Sequence, residues 1–366
     1  MADRMTDVGR KIRGAGPTPA DLGHDLAAVT AAPFTPRSKR ETPAPFGSIT
    51  TTEVCDLSCV MCPFNGPDAT KKGGTLAPEQ VRKIVDQVPR GSQIYFAATG
   101  EFFLDPNAVS HVAYAVQRGL EPLILTHGQS LAPDLIDRLL AVGARAFRIS
   151  CDSHDAKHYE RVRRGGKLEK ILAAVDYLNQ RRSEFPALSI EINCTLFRKT
   201  FGEQQSFEEF WSGKVDRINF NAEYHDTFKF RNLFYMPEKR VDCKIQTYVT
   251  PTGKIAPCCA IMVYQHENNV DWLPSITTHT LEQAYQQLCD MYDDPASPLA
   301  KHCKDCQWWI MWSPHVAGQT PYNKSVALRS EPATGCEIKK FPETDSGSIV
   351  SRLIGRMRRA TPLRPL

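Results

Sequence analysis

No run in this sequence of 366 residues approaches the ~20 consecutive apolar residues that a membrane span needs. Its opening, MADRMTDVGRKIRGAG, lacks the apolar centre of a secretory signal, so a cytoplasmic chain is expected. Charge of one sign is scarce as well. Lys+Arg 45 against Asp+Glu 41 leaves a formal charge of +4, and no nucleic acid or other acidic partner is demanded by that balance. The composition excludes a disordered, collagenous or coiled-coil protein, and there is no internal repeat. What is present is a 42% hydrophobic chain, enough for a substantial core, at a length that suits one large domain with an appendage or two domains. Cysteine is plentiful. Twelve cysteines in a reducing compartment are expected to be ligands or catalytic groups rather than a disulfide framework.

Residues 1–46 are rich in Pro, Ala, Thr and Arg and end in ETPAPF, which suits a flexible leader or a strap over a domain surface. From Ser48 onward, short β-rich runs alternate with amphipathic helical stretches. The runs are 48–54, 93–98, 122–126, 146–150, 188–193 and 216–220, and the helices between them include PEQVRKIVDQV, PNAVSHVAYAVQRG, PDLIDRLLAVGA and LEKILAAVDYLNQRR. Six strands alternating with helices predict an α/β fold, as a parallel sheet or an open barrel over 47–238, with ligands at the carboxyl ends of the strands. The alternation stops near residue 240. Residues 239–312 read as a smaller unit organised by cysteines, with a hairpin in YVTPTGKIAPCC and a helix in LEQAYQQLCDMYDD. The extension 313–366 carries Val350, Leu353, Ile354 and Met357 at helical spacing beside four arginines, a basic amphipathic tail.

Cys55, Cys59 and Cys62 stand at the end of the first strand, in VCDLSCVMCPF. Three thiolates within one tight loop can converge on a metal centre. A [4Fe–4S] cube held by three cysteines keeps one iron open, whereas a zinc loop would need a distant fourth ligand, and core thiols would need none. The spacing Cys55-x3-Cys59-x2-Cys62, with Met61 before the last cysteine, resembles the signature of radical S-adenosylmethionine enzymes. Further elements at successive strand ends resemble the same family: Thr99-Gly100-Glu101, Thr126-His127-Gly128, Ser150-Cys151-Asp152-Ser153, and YERVRRGGKLEKIL with Arg164 as the matching arginine and Arg163 beside it. The resemblance covers roughly 48–235 and implies a partial (β/α)6 barrel. It also implies a SAM-binding [4Fe–4S] cluster on Cys55, Cys59 and Cys62, a 5′-deoxyadenosyl radical that abstracts hydrogen, and an external electron donor such as flavodoxin or ferredoxin. Thr99, Gly100, Glu101, Ser150, Asp152 and Arg164 are then expected to bind S-adenosylmethionine, with Glu101 toward its ammonium and Ser150 toward its ribose or carboxylate.

Cys243, Cys258, Cys303 and Cys306 form a second set, enough for a closed four-thiolate site, which by spacing alone is expected to hold zinc. Cys243-x9-Gly253-x4-Cys258 followed by CxxC resembles the auxiliary-cluster extensions called SPASM and Twitch, the single-cluster Twitch form above all, and that resemblance implies an auxiliary [4Fe–4S] cluster. Cys259 is an alternative ligand and Cys336 a distant one.

Strand parity places Arg148, Ser150 and Asp152 on one face, with Glu191 and Asn193 inward, and turns Cys151 and Cys194 outward as packing thiols. Cys289 reads as core. Asn219 and Asn221 can face a substrate, and Glu223, Tyr224 and His225 follow, His225 as a candidate base. The function expected is two-electron dehydrogenation of a polar small molecule, such as an amino sugar or cyclitol, with the auxiliary cluster taking the electron. The alternatives are an epimerase using Cys259 or Cys336 as hydrogen donor, peptide modification, and, more distantly, a non-catalytic iron–sulfur or zinc scaffold.

Overall fold

Period-two runs of β-branched and aromatic residues become strands where the pattern places them, within a residue or two at most ends. A computed structural model describes residues 38–62, 64–66, 74–97, 99–196, 203–222, 243–262, 270–306 and 324–329. The parallel body consists of β1 (Phe46–Thr50), β2 (Gln93–Ala97), β3 (Glu121–Thr126), β4 (Ala146–Ser150), β5 (Ser189–Leu196) and β6 (Arg217–Ala222). These six lie side by side in sequence order, each parallel to the next. That is the strand order of a partial (β/α)6 barrel. The first strand begins and ends earlier than expected, at Phe46 and Thr50 rather than at 48 and 54.

The helices are α1 (Pro78–Val85), α2 (Ala108–Gln117), α3 (Pro133–Ala141), α4 (Ala156–Val162), α5 (Leu168–Arg181) and α6 (Gln204–Trp211). Residues at helical spacing, Ile84 and Val85 on α1, Ile136, Leu139 and Leu140 on α3, and Ile171, Val175 and Leu178 on α5, are fully buried against the sheet. From the sheet come alternate residues: Ile94 and Phe96, Phe147 and Ile149, Ile190 and Ile192, Ile218 and Phe220. Each such side chain contributes about 1.5–3 kcal/mol on burial. The intervening residues of the same strands face the opposite side, and that side holds the cavity described below.

The hairpin expected within 239–312 joins the main sheet. A hairpin of β7 (Thr247–Val249) and β8 (Ile255–Ala256) turns through Gly253, whose φ of +76° suits glycine, and Thr250 N–H donates to Lys254 O at 3.0 Å. β7 pairs parallel with β1, Ile49 beside Val249, so the hairpin extends the main sheet. At the other edge β9 (Lys324–Ala327) runs antiparallel to β6, giving nine strands in the order β8-β7-β1-β2-β3-β4-β5-β6-β9. The reason is geometric: a sequential parallel sheet leaves β1 and β6 with an open edge each, and both are covered.

Two further helices follow the hairpin, α7 (Leu281–Asp293) and α8 (Pro298–Asp305). Thr280 caps α7, its hydroxyl accepting from Gln283 N–H while the Gln283 side chain returns to the Thr280 backbone. Of the segment before β1, residues 38–45 are described, and they are fastened to α7. Ser38 donates from N–H and Oγ to Asp293, Arg40 pairs with Asp290 at 2.7 Å, Glu41 N–H donates to Tyr285 Oη, and Ala44 N–H donates to Glu282 Oε2. Among the described residues no helix is long and apolar enough to cross a membrane.

Candidate active site and cysteine pocket

The carboxyl-end loops of β1–β5 and the cavity side of the sheet enclose about 650 Å³. Cys55, Cys59 and Cys62 line this space together, on the loop that leaves β1. The loop is fixed by backbone bonds: Val60 N–H to Val162 O (2.9 Å), Cys62 N–H to Cys59 O (3.1 Å), and a two-residue antiparallel pairing of Ser58–Cys59 with Arg163–Arg164. Asn65, which no sequence signal singled out, is buried and donates from Nδ2 to Thr99 O at 2.8 Å, while its N–H points at Cys62 Sγ (3.3 Å). Burial raises the Cys55 thiol to about 12. Burial likewise raises Cys59, to about 11, against the opposing charge of Arg163.

Beyond β2, Glu101 N–H donates to Val54 O at 2.7 Å, which draws the Thr99–Glu101 backbone against the end of the first strand. A Cβ on Gly100 would lie 2.3 Å from Val54 O and 2.5 Å from Glu53 C, so only glycine fits. Glu101, 1% exposed, accepts from Thr126 Oγ1 (2.5 Å) and Phe103 N–H (3.4 Å) on Oε1 and from His127 N–H (2.9 Å) on Oε2. These donors fix the direction of the carboxylate, with acceptor capacity left for one more donor. His127 is itself held by Asp56, 2.7 Å from its Nε2.

Ser150, Arg148, Asn193 and Thr195 face the cavity, as parity predicts. Asp152 does not line it. Its carboxylate is buried under Arg163, which donates from Nε at 2.7 Å and Nη2 at 3.1 Å, and it also accepts Thr195 N–H at 2.8 Å. The chain has left the strand at Ser150, so the two-residue period no longer applies at 152. Arg163, rather than the exposed Arg164, lines the cavity, because Arg163 is the residue paired with Cys59. Burial opposes its charge, but Asp152 and Cys59 hold it protonated. Cys151 and Cys194 are buried in the core with pKa values raised by burial, and Cys289 is buried too.

Cys243, Cys258, Cys303 and Cys306 come together around a separate enclosed space of about 30 Å³. Tyr292 and His302 also border it; His302 went unread because it stands inside the CxxC run's flank without a spacing of its own. Cys258 and Cys259 point to opposite sides, Cys258 into this pocket and Cys259 into the large cavity. Gln246 and Tyr248, joined by a 2.8 Å hydrogen bond from Tyr248 Oη, border both spaces. His225, Glu223, Tyr224 and Cys336 lie outside the described residues.

Three sulfur donors at one mouth of a roomy cavity suit an iron–sulfur cluster with an open iron. The buried Thr99 hydroxyl, which has no hydrogen-bond partner among the described residues, is a group that a ligand seated against this backbone would use. Residues 49–197 match the family model of the Radical SAM superfamily. The chain carries a radical SAM domain. The matched stretch runs from β1 through β5 and includes the triad, Glu101, Ser150 and Arg163; enzymes of this superfamily use a [4Fe–4S] cluster and S-adenosylmethionine. Among curated proteins, an AdoMet-dependent heme synthase of Methanosarcina barkeri is 27% identical over 151 residues, 41% of this chain and 42% of that one. Another, from Nitratidesulfovibrio vulgaris, is 25% identical over 149 residues, 40% of this chain and 39% of that one. The chain thus spans about two fifths of these relatives' length. Native anSMEcpe with bound AdoMet is similar in fold to this radical SAM domain and beyond it, at a TM-score of 0.52 over 71% of this chain and 86% of that one, with 13% identity.

Proposed function

We propose that this radical SAM enzyme dehydrogenates a polar small molecule: a carbon that bears a hydroxyl or amine loses a hydrogen atom, the hydroxyl or amine then loses a proton, and the resulting radical gives one electron to an acceptor, to leave a carbonyl or imine. The observation that carries the reading is the shared wall of Gln246 and Tyr248: one side is the cavity of the cysteine triad, the other the pocket of four cysteines. In this reading Cys55, Cys59 and Cys62 hold the SAM-binding cluster, Glu101 receives the ammonium of S-adenosylmethionine, and Ser150 and Arg163 receive its ribose and carboxylate, with Asp152 fixing Arg163 from behind. When bound there, the cluster and S-adenosylmethionine supply a 5′-deoxyadenosyl radical able to take hydrogen from an unactivated carbon. A second cluster on Cys243, Cys258, Cys303 and Cys306 supplies a one-electron acceptor beyond the wall. The barrel's own residues position the substrate and keep water and stray thiols out. The external reductant is a flavodoxin- or ferredoxin-like donor.

A second reading has its own observation. Cys259 lines the cavity, and burial holds its thiol protonated, as a donor of a hydrogen atom must be. Returning that atom to the opposite face of the substrate carbon gives epimerisation. The two readings separate in deuterium oxide with dithionite as reductant. Loss of two hydrogens from the substrate supports dehydrogenation, whereas a product that gains one deuterium and is otherwise unchanged in mass overturns it and assigns Cys259 as donor.

A further inference from the structure

Arg148 lies on the cavity face of β4, two residues before Ser150, which at the strand rise puts it about 6–7 Å deeper in the barrel. Its Nε donates to Glu191 Oε2 at 2.7 Å on the neighbouring strand, and its guanidinium carbon lies 5.9 Å from the centre of the Tyr95 ring. Among the described residues its two terminal nitrogens have no acceptor. Glu191 is shared, since Asn219 Nδ2 also donates to Oε2, at 3.0 Å. One strand over from Ser150, Asn193 accepts from Asn221 Nδ2 at 2.8 Å, and among the described residues its amide nitrogen has no acceptor and can donate into the cavity.

Acceptors on the cavity wall are fewer. Glu101 is the carboxylate among the described residues that line it, and three protein donors already engage its oxygens. Arg163, at the mouth beside Cys59, has its charge matched by Asp152 in a buried pair. A cavity whose depth presents the open terminal nitrogens of a guanidinium, with its Nε alone on Glu191, and an amide donor is complementary to a ligand that brings negatively charged oxygen. We propose that the substrate carries a carboxylate or phosphate, and that this group docks on the terminal nitrogens of Arg148 with Asn193 as the second donor. This rests on the reading of the cavity as the substrate chamber. Its depth separates the docking point from the mouth, where Cys59 and Arg163 meet.

The test uses reconstituted holoenzyme saturated with S-adenosylmethionine, without reductant, titrated calorimetrically with inorganic phosphate and, separately, with glycolate; the arm that binds tells phosphate from carboxylate. The wild type should bind one of them saturably in the millimolar range. Arg148→Gln should weaken that affinity at least tenfold while affinity for S-adenosylmethionine stays within about twofold, as expected when one charge-assisted contact is lost. Glu191→Gln, which removes the internal competitor for Arg148, should tighten anion binding severalfold, and it decides the matter if Arg148→Gln does not fold. Equal anion affinity in wild type and Arg148→Gln, no tightening in Glu191→Gln, or a proportional loss of anion and S-adenosylmethionine affinity in Arg148→Gln would each overturn the proposal. The titration does not depend on which reaction follows. The radical reading fails separately, if reduced wild-type enzyme releases no 5′-deoxyadenosine.

Discussion

Gly100 illustrates how one residue sets a site. With Val54 O 2.3 Å from where a methyl would go, Gly100→Ala must push the Thr99–Glu101 backbone off the end of β1 and carry the Glu101 carboxylate with it. A displacement near 1 Å at such a site costs on the order of 10²-fold, so 5′-deoxyadenosine formation should fall by about that factor while iron content is retained. Cys258 and Cys259 make a sharper pair. Cys258→Ser should lower metal content at the four-cysteine pocket and Cys259→Ser should not, because the two side chains enter different spaces. Behind Glu101, Asp105 is buried with His111 Nε2 at 3.2 Å. Burial alone would raise its pKa, but His111 and the Asn107 N–H outweigh that and hold it below the ordinary carboxylate value. A carboxylate held low in the folded state contributes stability above its unfolded value, and that contribution fades as pH falls through the folded one. Asp105→Asn should therefore cost about 2 kcal/mol at neutral pH, with melting temperatures of wild type and variant converging below about pH 4. Much of this was legible at the residue scale. The parity that turns Ser150 and Asn193 inward and Cys151 and Cys194 outward follows from the two-residue period, whereas the roles of the triad and of Glu101 came from the resemblance to the family. Arg163 against Arg164 was not legible, since adjacent residues in a turn differ only in which one meets Cys59.

At the scale of elements, long periodic segments were readable and short or distant ones were not. β2 to β6 and α1, α2, α3 and α5 show their apolar period in the sequence, whereas α4, α6 and α8 were not singled out by it. The pairing of β7 with β1 joins residues some 200 positions apart. No local pattern encodes a partner, so the hairpin was legible in the sequence and its place in the main sheet was not. The strap before β1 is likewise fastened by polar contacts whose acceptors lie on α7, chiefly Asp293 and Glu282. Asp293→Ala removes the acceptor for Ser38 N–H and Oγ, and should lower the melting temperature by about 2–4 °C without altering metal content, as read by scanning calorimetry and metal analysis.

For the molecule as a whole, two separated cysteine sets predict two metal centres. Replacing Cys55, Cys59 and Cys62 together by Ala should remove one [4Fe–4S] cluster and all cleavage of S-adenosylmethionine, and leave the iron of the other. About one zinc per chain with a single cluster would assign the four-cysteine pocket to zinc instead. That whole layout hangs on the crossing of the sheet from β6 at one side to β7 at the other, which has a consequence for biosynthesis. On the ribosome the outer edge of β1 stays bare until Val249 has emerged, and the strap waits for Asp293. The triad loop is synthesised long before either, so a nascent chain can present its first three thiols beside an unpaired, apolar strand edge. Such an edge invites pairing with other chains. Expression conditions that slow elongation between residues 62 and 249 should then favour aggregates over soluble protein, and co-translational chaperones that mask strand edges should reverse the balance.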